Sequence, residues 1–233
     1  MTIDEEGLKS RILSKFRKER IITSSSTIAS EFVLGKTGRR CDLAIWNGEF
    51  IGIEVKSARD TLMRLQDQIR AYRCFFDKVI VLCDEAHLLK VERLCRNDVG
   101  IYVWTGKHEI DVYRSPTKNL MLDRHACIKS LTLKQLEAAS GKRPLVLPRA
   151  ELERQIMCDV AIDARRLVTD AFEITYNSTS DAFWKAVARK RITERHLATL
   201  SRFAAVRAEE QLAQEARKTF WLDWTKQAQA VFS

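Results

Sequence analysis

Glycine and proline are absent from the last third of this 233-residue chain. All eight glycines lie at or before Gly141, and all three prolines lie at or before Pro148. Residues 149–233 therefore contain no residue that favours a tight turn or interrupts a helix, and they are rich in Ala, Leu, Glu, Gln, Arg and Lys. This segment is predicted to be an all-α C-terminal region of three or four helices, with polar links near residues 176–181 and a last helix over about 193–230.

Three further absences narrow the class of protein. No apolar run approaches the roughly 20 residues that a membrane-spanning helix needs. The first residues, from Met1 to Glu6, are too acidic for a signal peptide. The six cysteines form no Cys-x-x-Cys pair, and no histidine stands at zinc-ligand spacing from them. We expect a cytoplasmic protein with reduced thiols and with neither a membrane segment nor a zinc site.

The net charge alone says little about a partner. The chain has 40 Lys and Arg against 31 Asp and Glu, a net charge of +9. This excess divides into +5 in residues 1–130 and +4 in residues 131–233. A modest excess spread this evenly is weak evidence for a polyanionic partner. The placement of individual cations is therefore the better guide to whether the protein binds one.

The first half of the chain alternates short apolar runs with amphipathic segments. Helices are predicted near residues 4–20, 59–76 and 85–95, and strands near residues 41–46, 50–57, 79–83, 101–104 and 109–113. This order is typical of an α/β core with a mixed central sheet flanked by helices. We place a boundary that separates an α/β domain over 1–128 from a helical C-terminal domain over 129–233.

A hairpin around Asn47-Gly48 decides whether the first candidate site residues can meet. Glu54 and Lys56 are two apart on its second strand, so both project from one face. A two-residue loop would place Asp42 on the opposite face from Glu54, whereas a three-residue loop, Trp46-Asn47-Gly48, would place both on one face. Only the three-residue register also gives the apolar residues of both strands a common core face. The sequence therefore predicts a bulged hairpin on which the two carboxylates converge.

Two carboxylates beside a lysine are the groups that metal-dependent phosphodiester hydrolysis requires. Carboxylates hold a hard divalent cation, and the lysine can position the attacking water or steady the developing charge. Glu31 could add a third carboxylate from the preceding element. On the next predicted helix, Gln68 and Tyr72 stand four apart on one face, in line with Arg64.

A basic loop separates Glu31 from Asp42. It brings Lys36, Arg39 and Arg40 next to the carboxylates. Cations beside a metal site suit a substrate with a phosphate backbone. The placement of these three charges indicates nucleic acid more strongly than the total charge does.

These residues closely resemble the motif of the PD-(D/E)xK nuclease superfamily, which has the restriction-endonuclease-like fold. Asp42 matches the motif aspartate, Glu54-Val55-Lys56 the (D/E)-x-K triplet, and Glu31 the upstream glutamate. Gln68-Ile69-Arg70-Ala71-Tyr72 matches the Q-x-x-x-Y element of some members. The resemblance covers roughly residues 25–105, and within the superfamily the sequence is similar to an uncharacterised bacterial and phage branch. The sequence departs from the motif at Cys41, which replaces the proline before the aspartate.

The resemblance implies a nuclease that uses Mg²⁺, or Mn²⁺ in its place, to cut DNA. It implies metal ligation by Asp42, Glu54, Glu31 and the Val55 carbonyl. It also implies that Lys56 orients the attacking water and that Gln68 and Tyr72 support the site. The cations that we expect to bind nucleic acid are Lys36, Arg39, Arg40 and Arg64. Three alternatives remain open: a non-catalytic nucleic-acid-binding module within a repair or phage-defence assembly, an RNA substrate, and a homo-oligomer formed through the C-terminal helices.

Overall fold

The protein has an α/β fold built on one mixed sheet, as the sequence predicts. A computed structural model describes residues 3–35, 38–106, 109–120, 122–141 and 147–201, and positions 217 and 221. Its six strands are β1 Thr27–Val33, β2 Arg40–Trp46, β3 Phe50–Lys56, β4 Lys78–Asp84, β5 Gly100–Trp104 and β6 Ile110–Arg114. They lie side by side in chain order. The β3–β4 and β4–β5 pairs are parallel and the other pairs are antiparallel.

Helices cover both faces of this sheet. The described helices are α1 Glu5–Lys18, α2 Leu65–Tyr72, α3 Leu88–Leu94, α4 Arg124–Ser130, α5 Leu133–Ala139, α6 Arg149–Cys158, α7 Ala164–Val187 and α8 Glu194–Leu197. Asp4 begins α1, because its carboxylate accepts a hydrogen bond from the Gly7 backbone N–H at 2.9 Å. Within the described ranges, no helix combines the length and the apolarity that a bilayer span needs.

Three helix predictions need correction. The helix predicted over 59–76 is reduced to α2, because the Asp60 carboxylate instead accepts hydrogen bonds from the Ser57 backbone N–H and hydroxyl at 2.7 and 2.6 Å and holds a turn. The polar segment 176–181 does not interrupt α7. The long helix predicted from residue 193 is broken at Ser201, whose backbone is extended, and most of its remainder lies outside the described residues.

Two apolar clusters, one on each face of the sheet, hold the fold together. One joins Ile45 and Ile53 to α1 and to the end of α7 through Phe183. The other joins Phe50 to α2 and to α4–α7 through Phe172. The helices that follow residue 128 therefore share their cores with the sheet. The boundary predicted after residue 128 falls inside α4, and independent folding of residues 129–233 stays a prediction.

The side chains of α7 cover the open edge of β1. The Ser180 hydroxyl accepts a hydrogen bond from the Ile28 N–H at 2.8 Å and donates one to the Ile28 carbonyl at 3.0 Å. The Trp184 indole N–H donates to the Ser26 carbonyl at 2.8 Å. These contacts satisfy backbone groups that an edge strand would otherwise leave open. They also explain why the polar residues in the middle of α7 do not end the helix.

The β2–β3 hairpin has the predicted three-residue loop, displaced by one residue. Trp46 pairs with Phe50, so the loop is Asn47-Gly48-Glu49 and not Trp46-Asn47-Gly48. The Asn47 amide sets this position, since it donates to the Ile21 carbonyl at 2.6 Å and accepts from the Glu49 N–H at 3.1 Å. Gly48 has a φ of +97°, which favours glycine. The predicted core face is confirmed, because one cluster contains Leu43, Ile45, Ile51, Ile53 and Val55.

Candidate active site

Glu54 and Lys56 lie together at the carboxyl end of β3, on the same face as predicted. The Lys56 Nζ atom is 2.6 Å from the Glu54 Oε1 atom. Glu54 is 1% exposed and Lys56 is 8% exposed. Burying two charges is costly even when they are paired. Their position in the central strand therefore needs a reason beyond stability.

Asp42 reaches this place by a different geometry from the one predicted. Its Oδ2 atom accepts a hydrogen bond from the Val55 backbone N–H at 2.7 Å. Cys41 and Ala44, three residues apart, pack in the same apolar cluster, so the regular alternation of side chains fails between them. The carboxylate therefore binds the backbone of β3, beyond the last β2–β3 pair Leu43–Ile53, and does not simply share the face of Glu54. The charge of Glu54 still acts on Asp42, and the convergence of the two carboxylates on one metal ion stays a prediction.

The electrostatics of Asp42 indicate an excess of negative charge. Burial raises the pKa of Asp42 to about 8, with further raising contributions from the charges of Glu54 and Glu5. The charge of Lys9 and the hydrogen bond from Val55 oppose this rise. Neighbouring carboxylates in a desolvated site favour either a proton or a cation.

Lys9 and Glu5 of α1 also surround Asp42, although the sequence did not single them out. Lys9 is fully buried and pairs with Glu5 at 2.6 Å and with Glu6 at 2.8 Å. Burial lowers the pKa of Lys9, but the hydrogen bonds to Glu5 and Glu6 and the charge of Asp42 together raise it above its usual value. The available signal was a lysine on the apolar face of an amphipathic helix, one turn after a glutamate.

Tyr72 on α2 holds the Glu54 carboxylate from the other side. Its hydroxyl forms a very short hydrogen bond to the Glu54 Oε2 atom and lies 2.9 Å from the Arg40 carbonyl. Burial, followed by the effects of Cys41, Glu54 and Asp42, raises the pKa of Tyr72. The hydroxyl therefore stays protonated and acts as a donor. Cys41 is also fully buried, and burial raises the pKa of its thiol, which fits a core residue beside the site.

Gln68 and Glu31 lie nearby but do not complete a carboxylate cluster. The Gln68 Oε1 atom is buried without a hydrogen-bond partner among the described residues. Glu31 has a φ of +58°, and its Oε2 atom is 3.7 Å from Arg40 Nη1. Where the structure describes the chain, no group of three or more His, Cys, Asp or Glu side chains could hold a metal ion. The role of Glu31 as a third ligand stays a prediction.

The predicted nucleic-acid-binding cations have different surroundings. Arg39 Nη2 is 3.5 Å from Asp67 Oδ2, and Arg40 pairs with Glu31. Arg64 is exposed at the start of α2. Lys36 falls outside the described residues. Two of the four cations are therefore partly engaged by carboxylates of the protein.

The donor atoms fit a hard divalent cation in part. Asp42 and Glu54 supply two carboxylates, the ligand type that Mg²⁺ prefers. The unpartnered amide oxygen of Gln68 is a further oxygen donor on the adjacent helix. Because Mg²⁺ usually keeps several waters and binds through one or two carboxylates, a two-carboxylate site is sufficient in kind.

Comparison with known proteins identifies a family. The family model described as Bacteriophage P4 protein cII matches residues 1–201. Protein cII of Enterobacteria phage P4 is 33% identical over 97 residues, which are 42% of this chain and 36% of that protein, so the chain spans about a third of that relative. The solved SPO1766 protein of unknown function from Silicibacter pomeroyi is 16% identical, with a TM-score of 0.39, over 62% of this chain and 99% of its own. Since the family model matches most of its length, the chain belongs to the bacteriophage P4 protein cII family.

Proposed function

We propose that the protein is a metal-dependent nuclease that hydrolyses phosphodiester bonds in DNA. One observation carries the proposal: the half-buried Asp42 and the buried Glu54 carboxylates interact electrostatically, and the Lys56 ammonium is 2.6 Å from Glu54. The names of the family and of the similar proteins state no activity, so the proposal depends on this site alone. A cytoplasmic location belongs to the same proposal, and the six free cysteines are compatible with it.

Asp42 and Glu54 would hold Mg²⁺, or Mn²⁺ in its place. The proposal retains the Val55 carbonyl and Glu31 as further ligands. A bound divalent cation polarises the phosphate and lowers the pKa of bound water. The Tyr72 hydroxyl would keep the Glu54 carboxylate oriented, and the Gln68 amide would support the same group from α2.

Lys56 would orient the attacking water or steady the charge that develops on the phosphate. Its ammonium is paired with the Glu54 carboxylate. A cation held by Glu54 would weaken this pairing and leave the ammonium available to the substrate. Preorganised charge of this kind stabilises a transition state more than a ground state.

The cations near the site would contact the DNA backbone. Arg39 and Arg40 are held by Asp67 and Glu31 at 3.5 and 3.7 Å, which are long contacts between partly exposed side chains. Exposed ion pairs contribute little free energy, so exchanging a carboxylate for a phosphate costs little. Lys36 and Arg64 belong to the same proposed surface.

Cleavage assays test the proposal. Purified protein is incubated with linear, nicked, single-stranded and circular DNA and with RNA, in Mg²⁺, Mn²⁺ or EDTA. We expect cleavage of DNA with either cation and none in EDTA. Cleavage of circles would identify an endonuclease, and cleavage of RNA alone would change the proposed substrate. Absence of cleavage on every substrate with both cations would contradict the proposal.

A non-catalytic nucleic-acid-binding module is the second candidate function. It is favoured by the Lys56–Glu54 pairing and by the two-carboxylate composition of the described site, which contains no third ligating side chain of the kinds named above. Such a module would act as a subunit of a repair or phage-defence assembly. Salt-dependent binding of nucleic acid without metal-dependent cleavage would support it. A homo-oligomer formed through the C-terminal helices stays a separate prediction, which sedimentation mass would test.

A further inference from the structure

A basic groove lies beside α1, next to the start of β6. Its volume is about 260 Å³. Three cations of α1 line it together with one from the chain after α7, and two glutamates stand among them. The charged residues of the groove are Arg11, Lys15, Lys18 and Arg191, with Glu19 and Glu109.

The α1 cations form a row along the helix. Arg11, Lys15 and Lys18 are four and three residues apart, so they share one face. At a rise of about 1.5 Å per residue the row is about 10 Å long. A row of three cations of this length can contact successive phosphates of one DNA strand. The Arg11 guanidinium also lies 5.1 Å from the Trp104 ring centroid, within the range of a cation–π contact.

Three consecutive cations follow the end of α7, in the turn that contacts α1. Arg17 of α1 donates hydrogen bonds to the Val187 and Lys190 carbonyls at 3.0 and 2.9 Å, which fixes this turn against α1. Arg189, Lys190 and Arg191 are all exposed. None of the three pairs with a carboxylate in the part of the chain that the structure describes. Arg191 lines the groove, and Arg189 and Lys190 precede it in the chain and add their charges to the same turn.

The two glutamates neutralise the groove only in part. Lys15 is 2.7 Å from Glu19, and Lys18 is 3.0 Å from Glu109. The Lys18 and Glu109 side chains are 76% and 75% exposed, so their pair contributes little and can be exchanged for a phosphate. Six cations and two carboxylates give this surface a net +4, out of +9 for the whole chain.

We propose that this groove and turn form a second contact surface for the DNA backbone, separate from the candidate active site. The inference depends on the proposed function only for the identity of the polyanion. α1 links the two surfaces, since Glu5 and Lys9 stand beside Asp42 and Lys18 lies about 14 Å beyond Lys9 along the helix. Membrane insertion is disfavoured, because no large apolar side chain of α1 or of residues 189–201 is exposed in the described structure.

Fluorescence anisotropy in EDTA tests the inference without requiring cleavage. The probe is a labelled 20-base-pair duplex, titrated from 50 to 300 mM salt. The test variant is Arg189→Ala, Lys190→Ala and Arg191→Ala together. The control variant, Lys134→Ala, Arg154→Ala and Arg166→Ala, removes the same charge from exposed positions on α5–α7. Circular dichroism and thermal unfolding check that both variants fold.

We expect the test variant to bind about 10- to 100-fold more weakly, with a salt slope smaller by about 2 to 3, and the control to bind within twofold of wild type. Equal losses in both variants, or no loss in the test variant, would overturn the inference. So would binding of poly-glutamate or phosphatidylserine vesicles that is as tight as DNA binding and equally sensitive to the test substitutions. A specific loss of DNA binding in a protein that cleaves nothing would support this surface while refuting the nuclease.

Discussion

Asp42 bears the least favourable charge in the site. Its carboxylate is desolvated and lies next to Glu54 and Glu5, and the buried ammonium of Lys9 opposes their effect. Ionisation of a carboxyl group in such surroundings destabilises the folded protein unless a cation binds beside it. The residue therefore connects protonation, stability and the proposed cation binding.

The stability of the metal-free protein should fall as pH rises towards 8. Because the pKa of Asp42 is raised to about 8, the folded state holds a proton between about pH 4 and 8 that the unfolded chain has released. The free energy of unfolding should therefore fall between pH 5 and pH 8.5, on the order of 4 kcal/mol from this group. Urea unfolding in EDTA at both pH values measures the change.

The Asp42→Asn variant supplies the control for this pH dependence. Its amide oxygen can still accept the hydrogen bond from Val55 but does not ionise, so the pH-dependent part should be lost. An Asp42→Asn protein whose stability falls with pH as steeply as that of wild type would show that another group is responsible.

Removal of the Tyr72 hydroxyl should destabilise the protein with little change in packing. Tyr72→Phe keeps the ring but removes the buried hydroxyl that donates to the Glu54 Oε2 atom and contacts the Arg40 carbonyl. We expect a loss of about 1 to 3 kcal/mol in the free energy of unfolding, measured with urea. The exposed Tyr113, whose hydroxyl binds Glu92 at 2.5 Å, gives a matched control, and Tyr113→Phe should cost less than 1 kcal/mol. Equal losses would contradict the role given to Tyr72.

At this scale the sequence predicts the parts of the site that depend on short spacing. Glu54 and Lys56 share a face because strand side chains alternate, and Tyr72 follows Gln68 by one helical turn. Lys9 and Glu5 could not be predicted in the same way, because their approach to Asp42 depends on how α1 docks against the sheet. No local pattern in the sequence specifies that docking.

The contact between α7 and β1 is the element-scale feature that protects the edge of the sheet. Ser180 serves both backbone groups of Ile28, and all of these atoms are buried. Ser180→Ala should therefore cost about 2 to 3 kcal/mol in the free energy of unfolding, since two buried polar groups lose their partner. Ser178→Ala on the same helix is exposed and should change the value by less than 0.5 kcal/mol. If the two variants had the same stability, the edge contact would have no energetic importance.

The hairpin shows how far element-scale prediction extends. The apolar pattern correctly predicts the core face, because a shift of one residue in pairing would expose every core side chain. The loop position is displaced by one residue because the Asn47 amide bonds Ile21, a contact from another part of the chain. In the same way, the turn held by Asp60 shortens α2, although the sequence suggested a helix start there.

The whole molecule is organised around two cores that both use the C-terminal helices. Phe172 and Tyr176 pack on one face of the sheet, and Phe183 and Trp184 pack on the other. We therefore expect a fragment of residues 1–128 to lose cooperative unfolding, because it would expose apolar surface on both faces of the sheet. Circular dichroism during urea unfolding tests this, with the full chain as control. A cooperative transition in the fragment would show that the α/β part is an independent domain.

The central claim is that Asp42, Glu54 and Lys56 form a metal-dependent nuclease site, and the rate of cleavage of circular DNA by a Lys56→Ala protein tests it most directly. The matched control is Lys78→Ala, because Lys78 pairs with Glu49 at 2.6 Å on the same sheet, away from the site. With saturating protein and Mn²⁺ or Mg²⁺, we expect Lys56→Ala to lower the rate at least 100-fold and Lys78→Ala to change it less than threefold. Cleavage by a folded Lys56→Ala protein at the wild-type rate would contradict the account.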